Sequence, residues 1–152
     1  MSASLTQKQR STLQDLQKHE EVCIRKYQEN ANKASNPFLQ QLFTQHANQE
    51  EQHYQTLEQI LNGIVPSTNQ QGQQMQQIVQ NVPGGTFTQE DAFSCNDLIM
   101  MEKFVSGTYD SAIYEFSDAN IRQALNHIQK EEQQHGEDIS NYMRSQGMQV
   151  YQ

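Results

Sequence analysis

The chain has 152 residues, enough to bury a sizeable core as a single domain spanning 1–152. Its formal charge is -8, with only 10 lysines and arginines and no basic cluster, which argues against nucleic acid or an anionic membrane surface as a partner. No apolar run approaches the roughly 18 residues needed to cross a bilayer. The polar stretch Met1 to Arg10 lacks a signal-peptide hydrophobic region, so synthesis on the cytosolic side is expected.

The first helix is expected to start at Thr6, an N-cap with Gln9 at the third helical position. Its seam reads Leu13, Leu16, Glu20, Cys23, Tyr27, Asn30 and Ala34, the three- and four-residue steps of a face packed on a neighbouring helix. Ser35-Asn36-Pro37 breaks it, since proline disfavours helix in the residue before it and can open the next helix. The second helix runs from about Pro37 to Asn62, with a seam at Leu39, Leu42, His46, Glu50, His53, Leu57 and Ile60.

Residues 63–87 form the one long connection. It contains Pro66, Gly72, Pro83, Gly84 and Gly85, and glutamine fills seven of the eleven positions from 70 to 80. A segment of this length can cross the whole length of a bundle, and Met75, Ile78 and Val79 suit a short helical turn packed over it. A linker between two small domains is the alternative, but neither half could bury its seam alone.

Thr88, with Asp91 three residues on, caps the third helix. Its seam is Cys95, Leu98, Glu102, Val105, Tyr109, Ala112 and Phe116. A break near Ser117-Asp118-Ala119 follows, with Asp118 as cap of the fourth helix. That helix carries Ile121, Leu125, Ile128, Glu132, His135, Ile139 and Tyr142 and ends near Gly147, leaving a frayed tail from Met148. Met100 and Met101 read as core packing. Cys23 and Cys95 form no thiol metal motif and read as small buried thiols.

The two halves repeat. An offset of 82 residues pairs Thr6-Gln7 with Thr88-Gln89, Asp15-Leu16 with Asp97-Leu98, Glu20 with Glu102, and Tyr27 with Tyr109. It goes on to pair Glu50 with Glu132 and Gln52-His53 with Gln134-His135. Without a gap, 11 of 57 aligned positions are identical, and every candidate ligand is among them. The expected fold is therefore all-α: a four-helix bundle of two duplicated antiparallel hairpins, about 6–62 and 88–146, joined by the crossover.

Glu50-x-x-His53 and Glu132-x-x-His135 each place a carboxylate and an imidazole on one helix face, one turn apart. Residues equidistant from the turn of an antiparallel hairpin lie side by side. Glu20 and His53 are centred on the Asn36-Pro37 break, and Glu102 and His135 on the Asp118-Ala119 break, so each lone glutamate sits level with its histidine, roughly 25 Å from the turn. Packing the hairpins face to face brings four carboxylates and two imidazoles together at mid-bundle.

Burying even one unpaired carboxylate costs several kcal/mol, and no lysine or arginine shares these seam positions. Two divalent cations would neutralise the four charges. Carboxylate with imidazole suits iron or manganese, and zinc also fits. The alternative is a layer of protonated glutamates hydrogen-bonded to histidines. Tyr27 and Tyr109, two turns beyond Glu20 and Glu102, could each fix a ligand carboxylate or be ordinary core tyrosines. His46 lies on the seam one turn before Glu50, as a core histidine or an extra ligand. His19 and His127 break the repeat and read as surface or helix-flank residues.

The spacing of Glu20, Tyr27, Glu50-x-x-His53, Glu102, Tyr109 and Glu132-x-x-His135 resembles the ferritin-like superfamily, which includes bacterioferritin, rubrerythrin and manganese catalase. The second half is similar to the coat protein F family of spore-forming Firmicutes. Glu102-Lys103-Phe104-Val105-Ser106, the run Ala119 to Ile128, and Glu131-Glu132-Gln133-Gln134-His135-Gly136 carry that likeness. The resemblance implies that Glu50 and Glu132 bridge two metals, that Glu20 and His53 complete one, and that Glu102 and His135 complete the other. It implies a spore-coat location, other coat proteins or a second copy as partners, and a site that either reacts with peroxide or ferrous ion or only braces the bundle. No CxxC pair supplies a rubrerythrin-type electron path, and the short first turn and short C-terminus argue against a 24-subunit storage shell.

Overall fold

The computed structural model describes residues 4–66 and 87–151. Four α-helices account for most of them: α1 (Gln7–Lys33), α2 (Pro37–Leu61), α3 (Gln89–Ile113) and α4 (Ala119–Ser145). The expected crossover turn at Met75, Ile78 and Val79 lies outside the described residues.

Each helix start is built by its own side chains. Thr6 Oγ1 accepts from Gln9 N at 3.1 Å while Gln9 Oε1 accepts from Thr6 N at 3.0 Å, and Thr88 and Asp91 repeat this reciprocal cap. Asn36 caps α2 through Leu39 N, with Pro37 in the first turn where its missing N–H costs nothing. Asp118 caps α4 by accepting from Asn120 N and Ile121 N. Gly147, at φ +76°, turns the chain out of α4, and Met148 N then donates to Met143 O at 2.9 Å.

α1 packs on α2 and α3 on α4, as two hairpins. The hairpins meet with α1 against α3 and α2 against α4. Two apolar clusters fill the bundle. One joins Leu39, Leu42 and Phe43 near the first turn to Cys95 and Leu98 at the start of α3 and Ile139 and Tyr142 late in α4. The other joins Leu13 and Leu16 to Leu57 and Ile60, and to Phe116, Ile121 and Leu125 around the second turn. α2 thus ends and α3 begins at opposite ends of the bundle.

Three expectations fail locally. Ala31 replaces Asn30 on the buried seam of α1, because a seven-residue repeat drifts about 20° per heptad on a straight helix. Asn30 instead turns its amide to Lys26 O at 2.7 Å. Met100 is 63 % exposed, while Met101 packs against both clusters. Consecutive helical residues lie about 100° apart, so only one of the pair can face inward. The tail is docked rather than frayed: Met148 is buried and Val150 packs beside it. Asn96 also grips the tail, donating to Gln149 O and accepting from Tyr151 N. Both cysteines are buried free thiols, one in each cluster.

Asn36 also donates through Nδ2 to the Tyr142 hydroxyl at 2.8 Å, tying the first turn to α4. Asn36→Ala removes the cap and this cross-link together. It is expected to lower stability by about 1–2 kcal/mol in equilibrium urea denaturation.

Candidate metal centre

Between the two apolar clusters lies a polar layer. Glu20, Glu50, His53, Glu102, Glu132 and His135 meet there, none more than 2 % exposed. The helix ladder explains the convergence. Glu50 and His53 share one face of α2, Glu132 and His135 share one face of α4, and Glu20 and Glu102 reach the same level from α1 and α3.

The six fall into two sets of four: Glu20, Glu50, His53 and Glu132; and Glu50, Glu102, Glu132 and His135. Within each set, one ligand atom per residue lies within 4.8 Å of all the others. Glu50 and Glu132 belong to both sets. His53 Nδ1 stands 2.9 Å from Glu132, 3.7 Å from Glu20 and 3.8 Å from Glu50. His135 Nδ1 stands 2.9 Å from Glu50 and 3.5 Å from Glu102.

The orientation of these groups is set from outside. Tyr27, on α1, donates to Glu102 Oε1 at 2.7 Å, and Tyr109, on α3, donates to Glu20 Oε1 at 2.6 Å. Each tyrosine therefore crosses to the lone glutamate of the other hairpin. On the far side of each imidazole, His53 Nε2 meets Glu131 Oε1 at 2.9 Å and His135 Nε2 meets Gln49 Oε1 at 2.5 Å. Both oxygens are acceptors, so a neutral ring carries its proton on Nε2 and presents the Nδ1 lone pair to the carboxylates.

Sequence reasoning passed over Glu131 and Gln49. The signal was there, since they are one another's counterparts in the repeat, each directly before a Glu-x-x-His. It also passed over Asp138, which meets His46 Nε2 at 3.3 Å. His46 is fully buried and stacks on His135 with ring centroids 4.1 Å apart. It stands beside the layer, outside both ligand sets. His127 pairs with Glu131 at 3.2 Å, and His19 packs against Phe104.

Charge in the layer is frustrated. Burial raises the Glu50 carboxyl well above its usual range, and the charges of Glu102 and Glu20 push it further. Glu132 is raised in the same way, by burial and then by Glu102, Glu50 and Glu20. Burial also opposes ionisation of Glu20, but Glu50, His53 and the Tyr109 hydroxyl outweigh it and hold the carboxyl at about 2. Glu102 is likewise lowered against burial by Glu132, His135 and Tyr27. Burial lowers His53, yet Glu131, Glu132 and Glu20 bring it well above the ordinary imidazole value. Burial and then His135 hold His46 down at about 4. The two carboxyls common to both sets are thus the ones that burial and neighbouring charge push toward the protonated form.

Fit to a metal can be judged on unmet donors. Glu20 Oε2, both oxygens of Glu50 and Glu132, Glu102 Oε2, and Nδ1 of His53 and His135 are all buried without a hydrogen-bond partner. Only Nδ1 of His19 and of His46 share this state elsewhere among the described residues, and buried polar atoms are rarely left so. Oxygen and imidazole nitrogen in this ratio are suitable ligands for divalent first-row metals. The residues fit.

Residues 90–152 match the family model of the Coat F domain. The second hairpin is thus similar to the Coat F domain. The match takes in α3 and α4, so Glu102, Tyr109, Glu132 and His135 lie within the matched stretch, and their counterparts on the first hairpin lie before it. No curated protein and no solved structure matches the chain. Among the described residues, no helix is long and apolar enough to cross a membrane. A groove of about 1100 Å³ between α1 and α3, lined by Leu16, Met100 and Phe104, contains none of the six layer residues.

The crossed tyrosines give a check on this geometry. Tyr27→Phe leaves Glu102 without its donor, and Tyr109→Phe does the same to Glu20. Each is expected to cost about 1–3 kcal/mol in thermal or urea unfolding of the metal-free protein, and the two losses should be similar.

Proposed function

We propose that the four helices form one ferritin-like domain holding two divalent cations, iron or manganese, in a carboxylate-bridged centre, within a protein of the spore coat. The single observation that carries the metal reading is the sharing of Glu50 and Glu132 by two buried ligand sets whose inward atoms lack partners. Glu20 and His53 would complete one position, and Glu102 and His135 the other. This is the ligand pattern of di-metal carboxylate bundles: one glutamate from each of two helices and a Glu-x-x-His from each of the other two. The Coat F domain supports the coat location, with other coat proteins or a second copy of the chain as partners.

Iron or manganese bound here would supply one-electron redox chemistry toward peroxide or ferrous ion. The chain's own part is to hold four carboxylates and two imidazoles in a buried layer, with Tyr27 and Tyr109 fixing the lone glutamates and Glu131 and Gln49 fixing the rings. A second reading, a purely structural centre, is favoured by one feature. The ligands come from all four helices and lie beneath the surface, so bound metal would staple both hairpins together.

Two measurements separate these readings from each other and from a metal-free bundle. Elemental analysis of protein expressed with iron and manganese is expected to give about two metals per chain, the capacity of such a centre. Glu50→Ala and Glu132→Ala should each abolish stoichiometric loading, and unchanged occupancy in both would refute the bridging assignment. The loaded protein should then consume peroxide or oxidise ferrous ion under oxygen. A loaded but inert sample assigns the centre to bracing.

A further inference from the structure

The two ligand sets are matched residue for residue, but their surroundings are not. His53 is backed at Nε2 by the carboxylate of Glu131, which also pairs with His127 at 3.2 Å. His135 is backed by the neutral amide of Gln49. The stacked His46 lies over His135 alone, and its counterpart in the repeat is Ile128. Asp138 supplies the carboxylate nearest this second side, but it bonds His46 and Gln134 rather than the ligand ring. Each half therefore offers the same inner donors, and the negative charge applied through the imidazole falls on one half only.

A carboxylate accepting the outer N–H of a ligand imidazole draws that proton toward itself and makes the opposite nitrogen a better donor. An amide oxygen does this less, because it carries no net charge. A carboxylate one ring away also attracts the cation directly, with little screening inside a buried layer. Both effects act in the same direction.

Resting on the di-metal reading above, we propose that the centre is graded: the Glu20–His53 half takes the first divalent cation and the Glu102–His135 half takes the second. Glu131 is the positioning residue that sets this order, and Gln49 marks the weaker position. The weaker half is the one that exchanges its cation with the medium, and it adjoins the His46–Asp138 pair.

Cobalt(II) titration of the metal-free protein, followed by calorimetry and visible absorption, tests the order. The wild type is expected to bind in two resolved steps. Glu131→Gln should weaken the tight step by about 10–100-fold, the usual effect of losing an outer partner of a ligand, and merge the two steps. Gln49→Glu should tighten the second step, a gain that loss of structure cannot produce. His135→Ala should retain the tight step and His53→Ala should lose it. Equal steps in the wild type, or a tight step unmoved by Glu131→Gln and a weak step unmoved by Gln49→Glu, would overturn the grading while leaving the di-metal centre standing. Failure of the wild type to bind two cobalt ions would remove the centre itself, and the grading with it.

Discussion

Four carboxylates confined to one buried layer are the constraint on which this bundle turns. Their mutual repulsion and lost hydration oppose folding, and the two imidazoles alone do not offset them. The consequence is visible in the shared pair: Glu50 and Glu132 are driven toward the protonated form while Glu20 and Glu102 stay ionised. Apolar packing above and below makes the layer possible, because two clusters, each drawing on all four helices, hold the backbone while the middle remains electrostatically unfinished. On the proposed reading a pair of divalent cations would complete it, with the protons leaving as the metals enter.

The repeat gives this arrangement its economy. Relating the hairpins by an offset of 82 turns one glutamate and one Glu-x-x-His into a closed set of six. It also makes the tyrosines reciprocal, since each donates across the interface to the other hairpin's glutamate. Each lone carboxylate thus takes its tyrosine hydrogen bond from the other hairpin. The stretch that matches the Coat F model lies in the second hairpin, and the preceding hairpin brings three of the six layer residues and the hydroxyl that donates to Glu102.

Much of this was legible in the residues. Caps at Thr6, Thr88 and Asp118 rest on local hydrogen bonds, and the six layer residues rest on helical periodicity and distance from a turn, so both can be read along one strand of text. What escaped depends on rotation and on contacts between hairpins. Asn30 and Ala31 exchange places through a small drift of the seam, and Met100 faces out because Met101 already faces in. The docking of Met148 and Val150 needs the surface of α3 to exist first. Glu131, Gln49 and Asp138 acquire meaning only once α2 and α4 are side by side, with their partners 78, 86 and 92 residues away in the chain.

Anomalous diffraction from crystals grown with manganese(II) tests the central claim most directly. The account predicts two peaks in the polar layer, both in contact with Glu50 and Glu132, one also held by Glu20 and His53 and the other by Glu102 and His135. Crystals that take up manganese only at surface carboxylates, with Glu50 and Glu132 hydrogen-bonded to the histidines and no metal between them, would contradict it.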